Sequence, residues 1–238
     1  MPLEASENNF ERSRSWLSSD EIARAERFRF ERHRRAFVLG RAALRALLGS
    51  YMGIVPSDVR FVYGLHGKPA LADATSALRF NASNSGDLAA CAFTRGCEIG
   101  VDIEQYRGVR DLEHIAHRFF SPEEAREVLE LAEAEKAPGF FNCWTRKEAY
   151  IKAMGGGLSI PLDSFRVTLR PGAPARMVTL GGSADAARGW TLHDFTPAAG
   201  YAGAIAYPDE PRLLTPMPVV SADEIVQRLV FFERRSET

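Results

Sequence analysis

Apolar runs, paired cysteines, lysine and net charge are all scarce in this 238-residue chain. No stretch approaches the roughly 20 consecutive apolar residues that cross a bilayer, so no membrane segment is expected. The N-terminal MPLEASENNFERSRSW has no apolar centre of the kind a secretory leader needs. Its three cysteines, Cys91, Cys97 and Cys143, form no CxxC pair and leave an odd number, which fits a reducing compartment. A cytoplasmic protein is therefore expected. The formal net charge of −1 speaks against a dedicated nucleic-acid binder. Of the five histidines only His114 and His117 are close, and no cysteine or carboxylate cluster joins them, so a solvated helix face is the expectation there. Lysine is rarer still: among 30 Lys and Arg residues only Lys68, Lys136, Lys147 and Lys152 are lysine. A chain so rich in arginine retains lysine where a compact ammonium suits the task, as beside a phosphate.

What remains is an ordinary globular composition, 45% hydrophobic and 26% charged. The chain also repeats itself weakly. Around Arg41 it reads RAALRALLG and then GIVPSDVRFV; around Lys147 it reads KEAYIKAMG and then GLSIPLDSFRV. Pairing Arg41 with Lys147 pairs Gly49 with Gly155, and Pro56 to Asp58 echoes Pro161 to Asp163. SDEIAR at Ser19 echoes SPEEAR at Ser121, and GDLAACAF at Gly86 echoes GYAGAIAY at Gly200. In this register Ala42 and Ala46 of the first copy face Glu148 and Lys152 of the second. Packing does not require that asymmetry; a single site does.

The repeat predicts an α+β fold of two pseudo-symmetric halves, each with helices on a small, mostly antiparallel sheet. The halves are placed at 1–104 and 105–238, with the junction in Gln105 to Asp111. Ser121-Pro122-Glu123-Glu124 reads as a helix start with a capping box. Ala137-Pro138-Gly139 reads as the break before a second helix carrying WTRKEAYIKAM. VRFVYG, AACAFT, EIGVDIE, SFRVTL and YAGAIAY read as strands. SADEIVQRLVFFERR from Ser221 reads as a capped, amphipathic C-terminal helix.

In GVDIE, Asp102 and Glu104 are two apart and project from one side of a strand, with Ile99, Val101 and Ile103 on the other. Two neighbouring carboxylates repel unless a cation or proton lies between them, and hard oxygen ligands suit Mg²⁺ with substrate phosphates. A solvated acidic face is the plainer alternative. Glu148 and Lys152 stand at i, i+4, the spacing of an ordinary surface ion pair. HGKPAL puts Lys68 and Pro69 in a turn. FNASNSGD reads as a polar loop able to offer backbone N–H groups and hydroxyls to a phosphate, and equally as a plain turn. The arginine-rich EIARAERFRFERHRRAF, which includes Arg24, reads as a solvated face that could also meet a phosphate. Gly155, Gly156 and Gly157 let the chain leave the late helix and allow a close approach by ligand or partner.

Taken together, GVDIE, WTRKEAYIKAMGGGLSIPLDSF, GKP, FNASNSG and Arg24 four residues before Phe28 resemble the 4'-phosphopantetheinyl transferases of the monomeric, two-half class that activates surfactin synthetase. The resemblance runs from about residue 19 to residue 207. It implies transfer of the 4'-phosphopantetheine arm of coenzyme A to a serine of an apo acyl or peptidyl carrier protein, releasing adenosine 3',5'-bisphosphate. It implies Mg²⁺, with Mn²⁺ able to substitute, held by Asp102, Glu104 and Glu148. Glu148 would also act as general base, and Lys152 would neutralise the diphosphate. Arg24, Lys68, Pro69, Ser83 and Asn84 would join Asp102, Glu148 and Lys152 around coenzyme A. Asn84 stands where relatives often carry histidine, and Glu21 where some carry a base. A monomer with no nucleic-acid or membrane partner is expected. Two other readings stay open on sequence alone: a coenzyme A-binding protein without catalysis, and a partner-binding domain whose carboxylates only form ion pairs.

Overall fold

The computed structural model describes residues 1–108 and 111–236; Val109 and Arg110, within the expected junction, lie outside the described residues. Helices α1 (Glu7–Ser15), α2 (Ser19–Glu26) and α3 (Glu31–Met52) come first. Strands β1 (Phe61–Tyr63), β2 (Pro69–Leu71), β3 (Leu78–Ser85), β4 (Leu88–Arg95) and β5 (Gly100–Gln105) follow. Next are α4 (Leu112–Phe119), α5 (Pro122–Glu130) and α6 (Glu133–Met154). The chain ends with β6 (Phe165–Val167), β7 (Met177–Leu180), α7 (Ala184–Ala187), β8 (Trp190–Phe195), β9 (Tyr201–Pro208) and α8 (Ala222–Ser236). The fold is α+β, as the sequence predicts. β1 pairs with β2, β3 with β4, β6 with β7, and β5, β9 and β8 form a three-stranded antiparallel sheet in that order.

The backbone packs as two compact units. One comprises Met1–Arg60, Asp87–Ala89 and the stretch from Thr215; its core joins Phe10, Trp16 and Leu39 to Ile225 and Val226 of α8. The other comprises Phe61–Gly86 and Ala90–Leu214, where Phe120, Phe140, Phe141, Tyr150 and Phe165 form the main cluster. The division at 104 and 105 belongs to the repeat in the sequence, and the compact units cut the chain elsewhere.

Each unit contains the same internal device. In the second, Ser121 caps α5, and the Glu124 side chain returns to the Ser121 N–H at 2.9 Å. The same carboxylate meets the Lys147 ammonium of α6 at 2.8 Å, with both side chains buried. Lys147 also donates to the carbonyls of Leu162 and Phe165 at 2.7 and 2.5 Å. In the first unit Ser18 and Glu21 form the capping box, and Glu21 meets Arg45 of α3 at 2.7 Å. Arg45 donates to the carbonyls of Pro56 and Val59. Both long helices have 22 residues and end at a left-handed glycine, Gly53 and Gly155.

These contacts correct the register of the repeat. Lys147 corresponds to Arg45 rather than Arg41, Gly155 to Gly53 rather than Gly49, and Ser121 to Ser18 rather than Ser19. At the cap the error is one residue; along the helix it is one turn, because Arg41 and Arg45 lie on one face and both reach Glu21. In the corrected register Ala46 and Ser50 stand opposite Glu148 and Lys152, so the asymmetry persists. Lys147 itself is a core residue and has no surface left for a phosphate.

The second copy is also longer between its helix and the carbonyls that its cation binds: Gly53 precedes Pro56 by three residues, and Gly155 precedes Leu162 by seven. That excess holds the extra glycines. Gly155 and Gly157 have positive φ values of 69° and 53°, a backbone region costly for a residue with a Cβ. A Cβ on Gly156 would lie 2.6 Å from the Ile160 side chain.

Two local expectations are corrected. The break between α5 and α6 falls at Leu131 and Ala132, and α6 continues through Pro138. Pro138 lies early in the helix, and Gly139 leaves room for Leu131, whose Cδ1 would be 2.3 Å from an added Cβ. FNASNSGD is not a loop: Phe80 to Ser85 belong to β3, and only Gly86 and Asp87 turn. The capped helices at Ser121 and Ser221 form as expected.

Strand β5 carries two of the acids singled out from the sequence. Gly100, Asp102 and Glu104 pair across with Ala206, Ala204 and Ala202 of β9. Cross-strand partners share a face, and the alanines leave that face open. The helix α6 lies so near that a Cβ on Gly100 would be 1.9 Å from the Ala149 carbonyl oxygen and 2.5 Å from the Ala153 nitrogen. On the opposite face Ile99 and Val101 pack with Ala92, Phe195 and Ile205.

Two stability measurements test this packing. Lys147→Met, which strips the ion partner from buried Glu124, is expected to cost about 3–5 kcal/mol in urea unfolding, with part recovered on adding Glu124→Gln. Gly100→Ala is expected to lose about 3 kcal/mol, the upper end for an overpacked core; a stability within a few tenths of the parent would contradict the close approach of α6.

Candidate active site

β5 is an edge strand of its sheet, so one row of its N–H groups has no partner strand. Buried N–H groups need acceptors, and β3 supplies them from side chains. Asn81 Oδ1 accepts from the Val101 N–H at 2.9 Å, Ser83 Oγ from Ile103 at 3.4 Å, and Ser85 Oγ from Gln105 at 3.1 Å. Alternation along β3 puts these three residues on one side, which is why the motif reads Asn-x-Ser-x-Ser. Gly86 closes the ladder with φ of +55°, where a Cβ would lie within 2.6 Å of Gln105 and Tyr201 side-chain atoms.

The same hydroxyls serve the acids. Ser83 donates to Asp102 Oδ1 at 2.8 Å, and Ser85 donates to Glu104 Oε2 at 2.6 Å. From α6, Lys152 reaches Asp102 Oδ1 at 2.6 Å and Ser83 Oγ at 3.0 Å. The expected i, i+4 bridge between Glu148 and Lys152 is replaced by this contact across to the strand. Asp102 is 3% exposed, which removes the reading of a solvated acidic face. Its Oδ2 is buried and has no hydrogen-bond partner among the described residues.

Electrostatics tie Glu148 to the pair. Burial pushes the Asp102 carboxyl above its ordinary value, despite the opposing Lys152 ammonium. Burial also raises Glu104, with the neighbouring Asp102 charge adding to it. Glu148, half-buried on α6, is raised by burial first and then by Asp102 and Glu104. Three acids that feel one another are opposed by Lys152 and, at Glu104, by Arg107, so carboxylates outnumber the cations beside them. Among the described residues no three His, Cys, Asp or Glu side chains stand in a ready-made ligating arrangement. The donor set nevertheless suits a hard divalent cation: carboxylate oxygens only, one of them buried and unpartnered, in a cluster lacking compensation.

The other residues singled out from sequence lie at varying distances from this centre. Lys68 donates to Glu98 at 2.6 Å and to the Ala153 carbonyl at the end of α6 at 2.9 Å. It lines a cavity of about 340 Å³ with Pro69, Arg79, Phe80, Glu98 and Met154. Glu98 also pairs with Arg79 at 3.2 Å. Asn84 is exposed, since the alternation that turns Ser83 inward turns it outward. Arg24 belongs to the other compact unit, exposed on α2 with its guanidinium 5.3 Å from the Phe37 ring centroid. Its assignment to a phosphate rests on the resemblance alone. His114 and His117 are exposed on α4, as expected, and the three cysteines are free thiols. No helix among the described residues is long and apolar enough to cross a membrane. Sequence reasoning missed Asn81, Ser85, Arg79 and Glu98. The alternating polar residues of β3 were the available signal for the first two; nothing local marks the others.

Comparison with known proteins bears on most of the chain. Residues 98–206 match the 4'-phosphopantetheinyl transferase superfamily model, and residues 3–95 match the model of a 4'-phosphopantetheinyl transferase N-terminal region. The 4'-phosphopantetheinyl transferase HetI of Nostoc sp. is 41% identical over 208 residues, covering 87% of this chain and 84% of the relative. The 4'-phosphopantetheinyl transferase Sfp of Bacillus subtilis is 38% identical over 168 residues, covering 71% and 72%. The Bacillus subtilis transferase ffp is 34% identical over 164 residues, covering 69% and 71%. With both parts of the chain matched in order, and with acids and lysine gathered where β5 meets α6, this chain belongs to the 4'-phosphopantetheinyl transferases of the Sfp type.

Proposed function

We propose that this transferase moves the 4'-phosphopantetheine arm of coenzyme A onto a serine hydroxyl of an apo acyl or peptidyl carrier protein. The serine oxygen forms a bond to the β-phosphorus, the bond from that phosphorus to the bridging oxygen breaks, and adenosine 3',5'-bisphosphate leaves with the electron pair. The observation that supports this reading is the Lys152–Asp102 contact from α6 to β5, with Asp102 Oδ2 buried and unpartnered among the described residues and Glu148 near enough to feel the Asp102 and Glu104 charges.

The residues take distinct parts. The Glu148 side chain makes no hydrogen bond or ion pair with the described residues and keeps a raised affinity for protons, the properties of a base that receives the serine proton. Lys152 places its ammonium beside the acids, where it can spread the charge of a diphosphate. Lys68, and with it Arg79, offers cations to the anionic nucleotide end once Glu98 gives way; Pro69 lines the same cavity, and Ser83 meets coenzyme A from the Asp102 and Lys152 side. Asn84 can add only an uncharged hydrogen bond. Asp102, Glu104 and Glu148 would hold Mg²⁺. When bound, that ion would neutralise the diphosphate and the charge that grows on it. A coenzyme A-binding protein without catalysis would have no use for a free, proton-avid carboxylate such as Glu148, which favours the transferase over that alternative.

Glu148→Gln is expected to lower transfer by about 10²–10⁴-fold while coenzyme A still binds. The assay is the mass gain of one phosphopantetheine arm on an apo carrier protein; unchanged turnover would remove Glu148 from the chemistry. Acidity gives a second check. The folded chain holds protons on Asp102, Glu104 and Glu148 more tightly than the unfolded chain does. Their contribution to stability therefore falls as pH rises from the ordinary carboxylate range through their raised values, and levels off above them. A divalent cation replaces those protons, so Mg²⁺ is expected to raise the Tm more at about pH 7.5 than at about pH 5. Equal shifts would argue against a carboxylate site.

A further inference from the structure

The two serines of β3 repeat one geometry. Each hydroxyl accepts the N–H of one β5 residue and donates to the carboxylate of the residue before it. Ser83 joins the Ile103 N–H to Asp102, and Ser85 joins the Gln105 N–H to Glu104. A serine hydroxyl has one proton to give. With its acceptor side occupied by the strand N–H, that proton is aimed at the carboxylate. Asn81, one step earlier in the ladder, accepts the Val101 N–H, and the residue before Val101 is Gly100, which has no side chain to orient. The ladder thus changes from amide to hydroxyl where β5 begins to carry acids.

Ser83 has a second partner in Lys152, whereas the Ser85 hydroxyl donates to Glu104 alone. Glu104 is only partly buried, sits beside the Asp102 charge, feels the Arg107 and Lys152 charges, and forms no ion pair with a cation among the described residues. Without Ser85 no hydrogen bond among the described residues holds its carboxylate toward Asp102, and solvent or the Arg107 charge can draw it away. We infer that Ser85 is a positioning residue: its hydroxyl, fixed by the Gln105 N–H, holds the Glu104 carboxylate toward Asp102 so that the acids act together on a divalent cation. This inference rests on the transferase reading, and it adds a residue that touches neither substrate nor metal. Partners of ligating carboxylates, when removed, typically cost about 10–100-fold in metal affinity or activity.

The test is a double-mutant cycle read by direct Mn²⁺ binding to the full-length enzyme in the presence of coenzyme A, with Tm measured alongside. Ser85→Ala is expected to weaken Mn²⁺ binding roughly 10-fold and to raise the Mg²⁺ concentration for half-maximal transfer in parallel. Ser85→Thr, which keeps the hydroxyl, is expected to restore both. In a Glu104→Gln background Ser85→Ala is expected to change Mn²⁺ binding less than about 2-fold, since the carboxylate it acts through is gone. An equal loss in both backgrounds, or Mn²⁺ binding by Ser85→Ala at parental strength, overturns the inference. If Ser85→Ala does not fold, the comparison of Ser85→Thr with Ser85→Cys decides, because only a short hydroxyl donor fits; equal Mn²⁺ affinity in those two overturns it. Failure of the parent enzyme to bind Mn²⁺ or to transfer the arm would instead overturn the reading beneath it.

Discussion

The site depends on a backbone contact. At Gly100 the strand β5 lies against α6 with no space for even a methyl group, because the Ala149 carbonyl and the Ala153 N–H occupy it. Ala149 and Ala153 are small for the same reason, and the buried alanines of β9 keep the neighbouring rows of that face low enough for α6 to pack on them. This approach brings residues 148 and 152 of the helix to residues 102 and 104 of the strand. The glycine of GVDIE is therefore as much a part of the site as its acids are.

Two copies of one device surround two different outcomes. In each compact unit a capping-box glutamate accepts a buried cation from a 22-residue helix, and that cation ties down the carbonyls of the following turn. Pairs of this kind contribute little net stability compared with apolar substitutes, yet breaking one is costly. They fix how a helix start, a long helix and a turn meet. With the same frame in both copies, the positions one and five residues after the buried cation differ. The first copy carries Ala46 and Ser50 there, and the second carries Glu148 and Lys152.

Much of this was legible from residue order. The period of two in GVDIE placed both acids on one face, and the spacing of Glu148 and Lys152 placed both on one helix. The fold class followed from alternating helix and strand signals and from the repeat. What could not be read was set by contacts distant in sequence. Asn-Ala-Ser-Asn-Ser has the composition of a loop and becomes a strand because its polar side chains replace a missing neighbour for β5. Pro138 looks like a helix break and is absorbed near the start of α6, whose true boundary is set by Leu131 packing on Gly139. Arg41 and Arg45 are equivalent in pattern, and only the carbonyls they face distinguish them. Lys68 looks like a free cation and is held by Glu98 and by the end of α6.

Lys147 and Lys152 stand five residues apart on one helix and resolve what rare lysine is for in this chain. Lys147 is fully buried, and every proton on its nitrogen has an acceptor: a carboxylate and two carbonyls. Its charge is spent within the fold and leaves nothing for a ligand. Lys152 is 29% exposed and faces acids that outnumber it, with one carboxylate oxygen still unpartnered. A group of that kind is unstable by itself, since burial and mutual repulsion both favour protons on the acids. The strain is tolerable because the hydroxyl ladder and the Gly100 contact fix the strand and the helix independently of the charges. A ligand that supplies positive charge to the acids, or negative charge to the lysine, then meets a site whose geometry is already set and whose electrostatic deficit it relieves.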